Sequence, residues 1–366
     1  MAQEMQIFTS KRGLTPARLC AAVFCLMLIA GCVISPRRIV GGGGGGTPTP
    51  TPSPTPTPNP AATGKLYVMN TSTNTLLRFD NAFTANGNAT PAATIVGTST
   101  TFNGPSFMTL DAANDRLYIA DTGDLSILIY DGISTKNGNV APTRTIAGLL
   151  TNLTTPTDVS LDKVKNLLYV ADNVDIHVFA SASTVNGNQA PARTLTAPFA
   201  VSAIFIDGAN DRLFAADQTG NAIAVYDHAS TLPSGSIAAN RAVQGAATHL
   251  SNPGGVQLDG AGRLVVSNSS PPSITIYANA ATADGNLAPV AEIVGANTGL
   301  SVPDQIIVDP TGTGTLYNAD PGAARIAVFA NLTTANGNIA PTRSISGAST
   351  GMTASGPVGL AFDSTR

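Results

Sequence analysis

The chain has no tryptophan and only three histidines. Its three cysteines, Cys20, Cys25 and Cys32, all fall within the first 32 residues, so nothing after Cys32 can form a disulfide or supply a thiol nucleophile. Charge is scarce at 11% of residues, and the only glutamates are Glu4 and Glu292. The 16 basic and 21 acidic side chains from Cys32 onward leave a net charge of −5. No basic run exists, which argues against a nucleic-acid partner. No GxSxG and no Lys-Ser/Thr nucleotide loop appears, and the six glycines at 41–46 precede no helix. Without tryptophan, and with the aromatics spent on repeat positions, a sugar-stacking platform has little to be built from.

What the chain does have is a repeat. A turn glycine recurs at Gly87, Gly138, Gly187, Gly235, Gly285 and Gly337, at intervals of 51, 49, 48, 50 and 52 residues. Three further series keep step: an aromatic (Phe79, Tyr130, Phe179, Tyr226, Tyr277, Phe329), a polar residue (Asn70, Asp121, Asp172, Asp217, Asn268, Asp320) and an aspartate (Asp111, Asp162, Asp207, Asp259, Asp309, Asp363). Periods of this size mean solenoids or propellers. Residues 114–162 hold the clearest copy, with short Val-, Ile-, Tyr- and Thr-rich runs at 117–121, 126–131, 142–148 and 156–162, bounded by Gly, Pro, Asn and Asp. No stretch in the repeats has a helical apolar stripe. Four antiparallel strands per unit, six times, predicts an all-β six-bladed propeller over residues 64–366.

The ends of the repeat array favour a ring over a solenoid. The first copy begins at its second strand, GKLYVMN, and the last stops after a first strand, PVGLAFD. Pairing strand 358–363 with strand 65–69 completes a mixed blade and removes two free sheet edges. The pattern P-x-G-[VL]-x-[LF]-D followed by LY[IV]AD resembles the NHL repeat, with PGGVQLDGAGRLVVSN at 253–268 and GPVGLAFD at 356–363 its nearest matches. KLYVMNTSTNTLLRFD also resembles the YVTN propeller repeat. The resemblance implies a fold and leaves function open, because such propellers host binding modules, lactonases and lyases alike.

The N-terminus speaks to location. Lys11, Arg12 and Arg18 precede the apolar run 20–31, which is too short for a membrane span. Leu28-Ile29-Ala30-Gly31-Cys32 resembles a bacterial lipobox. That implies a signal peptide over 1–31, lipid on Cys32 and anchoring in the cell envelope. With Val33 after the cysteine, it implies the outer membrane if the host is Gram-negative. Residues 32–63 read as a tether: glycines, then a Thr-Pro run expected in extended polyproline II at ~3.1 Å per residue.

Several repeat positions have a structural reading. The Asn-Gly-Asn copies at 86–88, 137–139, 186–188 and 336–338, and Asp-Gly-Asn at 284–286, read as turns that need positive φ. Arg144, Arg193, Arg241 and Arg343 recur on the outermost strand, where a charge guards a sheet edge. The two Asp series read as turn formers that accept nearby backbone N–H groups.

Candidate ligand positions lie on the inner strands and the loop rims. Counting back from the closing Asp, position two is Thr109, Ser160, Phe205, Gln257, Ile307 and Ala361, and position four is Phe107, Asp158, Ala203, Gly255, Gln305 and Gly359. Asp304 falls at position five, where a regular pleat would aim it away from Asp158. The candidates are Asp121, Asp124, Asp158, Asp172, Asp217, Gln257, Asp304, Gln305 and Asp320, with Cys32 for lipid and no catalytic or metal ligand set. The rim loops 70–75, 121–125, 172–175, 217–221, 268–272 and 320–324 are the expected binding face. His177, His228 and His249 occupy unrelated repeat positions and do not suggest a zinc site. No cofactor is expected; calcium at the Asp series is conceivable, but six equivalents, one per blade, sit far apart. The expectation is a lipid-anchored binding or scaffold module, its partners the membrane and an envelope protein or small molecule. The alternatives are a lactonase-like or lyase-like enzyme, or a passive surface coat.

Overall fold

A computed structural model describes residues 63–309 and 314–366. The leader, Cys32 and the tether up to residue 62 lie outside the described residues. Six sheets follow one another around a ring. Blade two shows the plan: inner strand Pro105–Asp111, then Arg116–Asp121, Ser126–Asp131 and outer strand Arg144–Ile146. The inner strands of blades three to six are Pro156–Asp162, Val201–Asp207, Pro253–Leu258 and Ile306–Val308. In blade one, Pro357–Asp363 is the inner strand and pairs antiparallel with Lys65–Asn70, with Lys65 opposite Asp363. The outer strands are only three or four residues long among the described residues.

Alternation explains the packing. Successive side chains of a strand point to opposite faces, and here both faces are covered, so the strands are mainly apolar on both. Leu117 and Ile119 pack in the cluster between blades one and two, whereas Tyr118 and Ala120 pack between two and three. Six such clusters join each blade to the next, including blade six to blade one through Tyr317, Val328, Leu66 and Leu360. The repeating aromatics Phe79, Tyr130, Phe179, Tyr226, Tyr277 and Phe329 are all buried. Tyr130 and Tyr277 also donate their hydroxyls to the carbonyls of Thr100 and Thr248.

The Asn-Gly-Asn motif does more than turn the chain. Its glycines have the positive φ that the turn requires, for example +77° at Gly138 and +74° at Gly187. The motif also lies along the outer strand of the preceding blade. Gly187 bridges to Ile146 in parallel, Asn186 accepts the Thr145 N–H, and Asn188 accepts the Leu150 N–H. The same clasp joins blades one and two, four and five, five and six, and six and one. Blade four has lost the motif; there Gly235–Ser236 instead adds a short parallel strand to the outer edge of blade three.

The arginines are therefore not edge guards, because the clasp already covers the edge. Arg144 is half-buried and donates to the carbonyls of Ala182 and Val185 in the next blade. Arg193, Arg241 and Arg343 make the equivalent bonds to Leu232, Ala280 and Ala85. Blade five has Ala291 at this position and makes no such bond.

Candidate functional site

The inner strands enclose a cavity of about 630 Å³ along the ring axis. It opens among the hairpins that join the inner and second strands, at Lys163, Val164, Gly208, Asn210 and Gly260. These hairpins hold their shape through the repeating aspartates. Asp162 accepts the Val164 and Lys165 N–H groups, each at 2.9 Å, and Asp259 accepts those of Ala261 and Arg263 at 2.9 and 2.8 Å. The cavity thus opens at the rim opposite the loops expected to form a binding face.

Below the mouth, position two of the inner strands is partly exposed at Thr109, Phe205, Gln257 and Ile307. Position four is different: Phe107, Asp158, Ala203, Gly255, Gln305 and Gly359 are all buried. This layer seals the axis. Phe107 of blade two reaches the cluster between blades four and five. Gln305 of blade six donates to the Met108 carbonyl and accepts the Leu360 N–H, tying blades two and one together. At Gly359 a Cβ would lie 2.4 Å from the Ser106 carbonyl oxygen, and at Gly255 it would lie 2.8 Å from that of Asp304. Only glycine permits such close strand approach. The cavity is a blind funnel.

Polar side chains of the wall mostly serve the strands beside them. An inner strand has a free edge toward the axis, and its N–H groups need acceptors. Asp158 accepts from Val159 and, with its other oxygen, from Ile204 of blade four, each at 2.7 Å. Ser160 accepts the Ile206 N–H at 2.9 Å. Burial pushes the Asp158 carboxyl up to about 7 against the pull of these two amides.

Asp304 is not turned away as a regular pleat would have it. Ala319 accepts from the Asp304 N–H and donates to the Gln305 carbonyl, so two residues oppose one. This is a β-bulge, and it breaks the alternation. The inner strands of the other five blades shift register at the same place. The bulge puts Asp304 just beyond the sealed layer and near enough to Asp158 for their charges to interact; burial first, then Asp158, raises its carboxyl to about 8.

The remaining candidates stand apart from the funnel, in blades two, three, four and six. Asp121, Asp172 and Asp320 are buried and accept backbone N–H groups from the loop ahead of the inner strand: Asn103 at 3.0 Å, Thr154 at 2.7 Å and Val302 at 2.8 Å. These bonds span 18 residues, so the aspartates also clasp distant loops, while Asp121 is bonded as well by the Gly123 and Asp124 amides of its own turn. Asp217 does accept locally, from Gly220, and exposed Asp124 accepts the Asn103 amide. Asp121 is raised to about 7, chiefly by burial. Burial also acts on Asp172, but bonds from His177 and the Thr154 and Thr155 amides outweigh it and hold the carboxyl low. His177 is buried between Asp172 and Thr194, whereas His249 meets Glu292 at the surface and His228 takes a left-handed turn conformation. Among the described residues no group of three or more His, Cys, Asp or Glu side chains converges. No described helix is long and apolar enough to cross a membrane.

Sequence reasoning named Phe107 on the inner strand without seeing that it helps seal the axis. The signal was present: position four holds one Phe and two Gly, and side chains that unequal cannot surround an open, symmetric channel.

No family model and no curated protein matches the chain. Its fold is shared with solved structures. A chain from the crystal structure of a nidogen/laminin complex is similar with a TM-score of 0.56 at 15% identity, over 82% of this chain and 98% of that one. A functionally unknown protein from Desulfotomaculum acetoxidans DSM 771 is similar with a TM-score of 0.52 at 12% identity, over 76% of this chain and 79% of that one. At these identities the likeness is one of fold, an all-β six-bladed propeller.

Proposed function

We propose that this chain is a binding module that takes its ligand into the blind funnel. The observation that carries the reading is the funnel itself, a cavity of about 630 Å³ that is open at one rim and sealed at position four. Its volume lies within the range usual for small-molecule sites, roughly 300–1,000 Å³, and its wall is apolar with a few polar groups. The similar chain from the nidogen/laminin structure comes from a protein complex, which accords with a binding role. The lipobox-like run ending at Cys32 and the Thr-Pro tether accord with a module held at the bacterial envelope, at the outer membrane in a Gram-negative host. The NHL-like spacing of its repeats accords with such a propeller.

A binding module should be stabilised by what it binds. Melting of the full chain in fractionated envelope extracts should rise with at least one fraction, saturably. The variant Ala361→Phe, which fills the funnel, should abolish the rise. If no fraction moves the wild-type melting temperature, the binding reading falls. Anchoring is checked separately: labelled palmitate should enter the wild type and not Cys32→Ser.

One observation supports an enzymatic alternative. Asp158 lies on the funnel floor with its carboxyl raised to about 7, a value suited to proton transfer at neutral pH. Lactone or ester turnover by the wild type that vanishes in Asp158→Asn would establish it; turnover surviving in the variant would rule it out.

A further inference from the structure

The free groups on the funnel wall decide which molecules it can hold. Most polar side chains there are already engaged. Both oxygens of Asp158, the Ser160 hydroxyl and both ends of Gln305 bond to neighbouring inner strands. Asp162, Asp207 and Asp259 are occupied by their own hairpins. Two side chains stand out: neither the Thr109 hydroxyl nor the Gln257 amide has a hydrogen-bond partner among the described residues, and both line the cavity.

Their placement is informative. Thr109 and Gln257 occupy the same inner-strand position in blades two and five, on opposite walls of a six-membered ring. In the same layer Phe205 of blade four is partly exposed, and the blade across the ring carries only Ala361, buried in the cluster between blades one and two. The wall between them is completed by Leu161, Leu258 and Ile307, all partly exposed. This leaves a slot against the Phe205 ring, with a polar group free of protein partners on either side. Lys163 adds a charge only at the mouth.

We infer that the funnel selects an uncharged, mainly apolar small molecule with a flat face, packed on Phe205 and hydrogen-bonded to Gln257 and Thr109. The inference rests on the funnel being the binding site. An ion carried to this depth would lose its hydration and meet no free counter-charge, which is costly. A neutral molecule with polar groups at its edges satisfies Gln257 and Thr109 and buries its faces on apolar wall.

A matched pair of dyes tests this. N-phenyl-1-naphthylamine is neutral, and 1-anilinonaphthalene-8-sulfonate is the same aryl amine bearing a sulfonate. Both are titrated by fluorescence into the full chain, and the titration of Ala361→Phe is subtracted to remove signal from any other apolar surface. The neutral dye should bind the wild type at least ten times more tightly than the anionic one. Gln257→Leu should weaken it about three- to tenfold, with melting unchanged. If the sulfonate binds as well or better and is still displaced by Ala361→Phe, the neutral-ligand inference is overturned while the funnel remains the site. If neither dye responds to Ala361→Phe, both readings are overturned. Should Ala361→Phe fail to fold, Phe205→Trp substitutes for it, because the chain has no other tryptophan. Saturating neutral dye should quench that single emission, and an unchanged spectrum would count against the proposal.

Discussion

The outer edge of each blade and its inner strand come from the same repeat, yet they differ in kind. At the outer edge nearly every blade does the same thing. An Asn-Gly-Asn turn clasps the preceding strand, an arginine reaches the next blade's turn, and an aromatic fills the space between. On the inner strands no two blades present the same pair of side chains to the axis. Phe107, Asp158 and Gln305 each do one job once, and glycines at two other blades make room for close strand contacts. The repeated positions hold the ring together; the unrepeated ones shape the funnel. Substitutions at the first should cost stability and spare dye binding, and substitutions at the second should do the reverse.

The largest effect expected is at a repeated aromatic. Tyr130→Ala removes a buried ring and the bond to Thr100, and should cost ~3–5 kcal/mol in denaturant unfolding. Next comes the clasp. A Cβ on Gly148 would lie 2.6 Å from Cγ of Asn188, and its φ is +115°. Gly148→Ala should therefore lose about 2 kcal/mol, from strain and a displaced clasp. Asn188→Ala, which loses only the bond to Leu150, should lose about 1 kcal/mol. A gain of similar size is expected between blades five and six. Buried Asn318 stands where the other blades carry Val, Ile or Ala, and neither end of its amide has a partner among the described residues. Asn318→Val should raise stability by ~1–2 kcal/mol; a loss instead would show that the amide is satisfied.

The last effect is one of pH, and it is read as a slope. Asp304 is raised in the fold to about 8 from an ordinary value of 3.8, so between these values the folded state holds the extra proton. Stability from this group is then greatest below about pH 4 and declines as pH rises toward 8. Asp304→Asn should flatten that decline in a series of melts from pH 5 to 9 without altering the repeated outer shell. An unchanged slope would mean that Asp304 titrates normally.

Much of the fold was legible because a repeat states its rules six times. The positive-φ glycines, the buried aromatics and the hairpin aspartates all behave as their spacing predicts. Function was less legible for the opposite reason: a residue used once has no second copy to explain it. The arginines show a further difficulty. Their period was plain, but whether an outer-strand charge faces solvent or the next blade depends on what covers that edge, and the covering motif comes from about 40 residues further along the chain.

By itself, then, the sequence determined the strand period, the blade count and the apolar character of both strand faces, because these follow from local alternation and turn chemistry. Only the tertiary structure decided where the axis is sealed and which rim is open. A bulge, which the spacing of the repeats does not reveal, breaks the strand alternation at Asp304. Two glycines let inner strands touch, and a phenylalanine from blade two crosses to blades four and five. These contacts join residues from different repeats, and their geometry exists only once the ring has brought those repeats together.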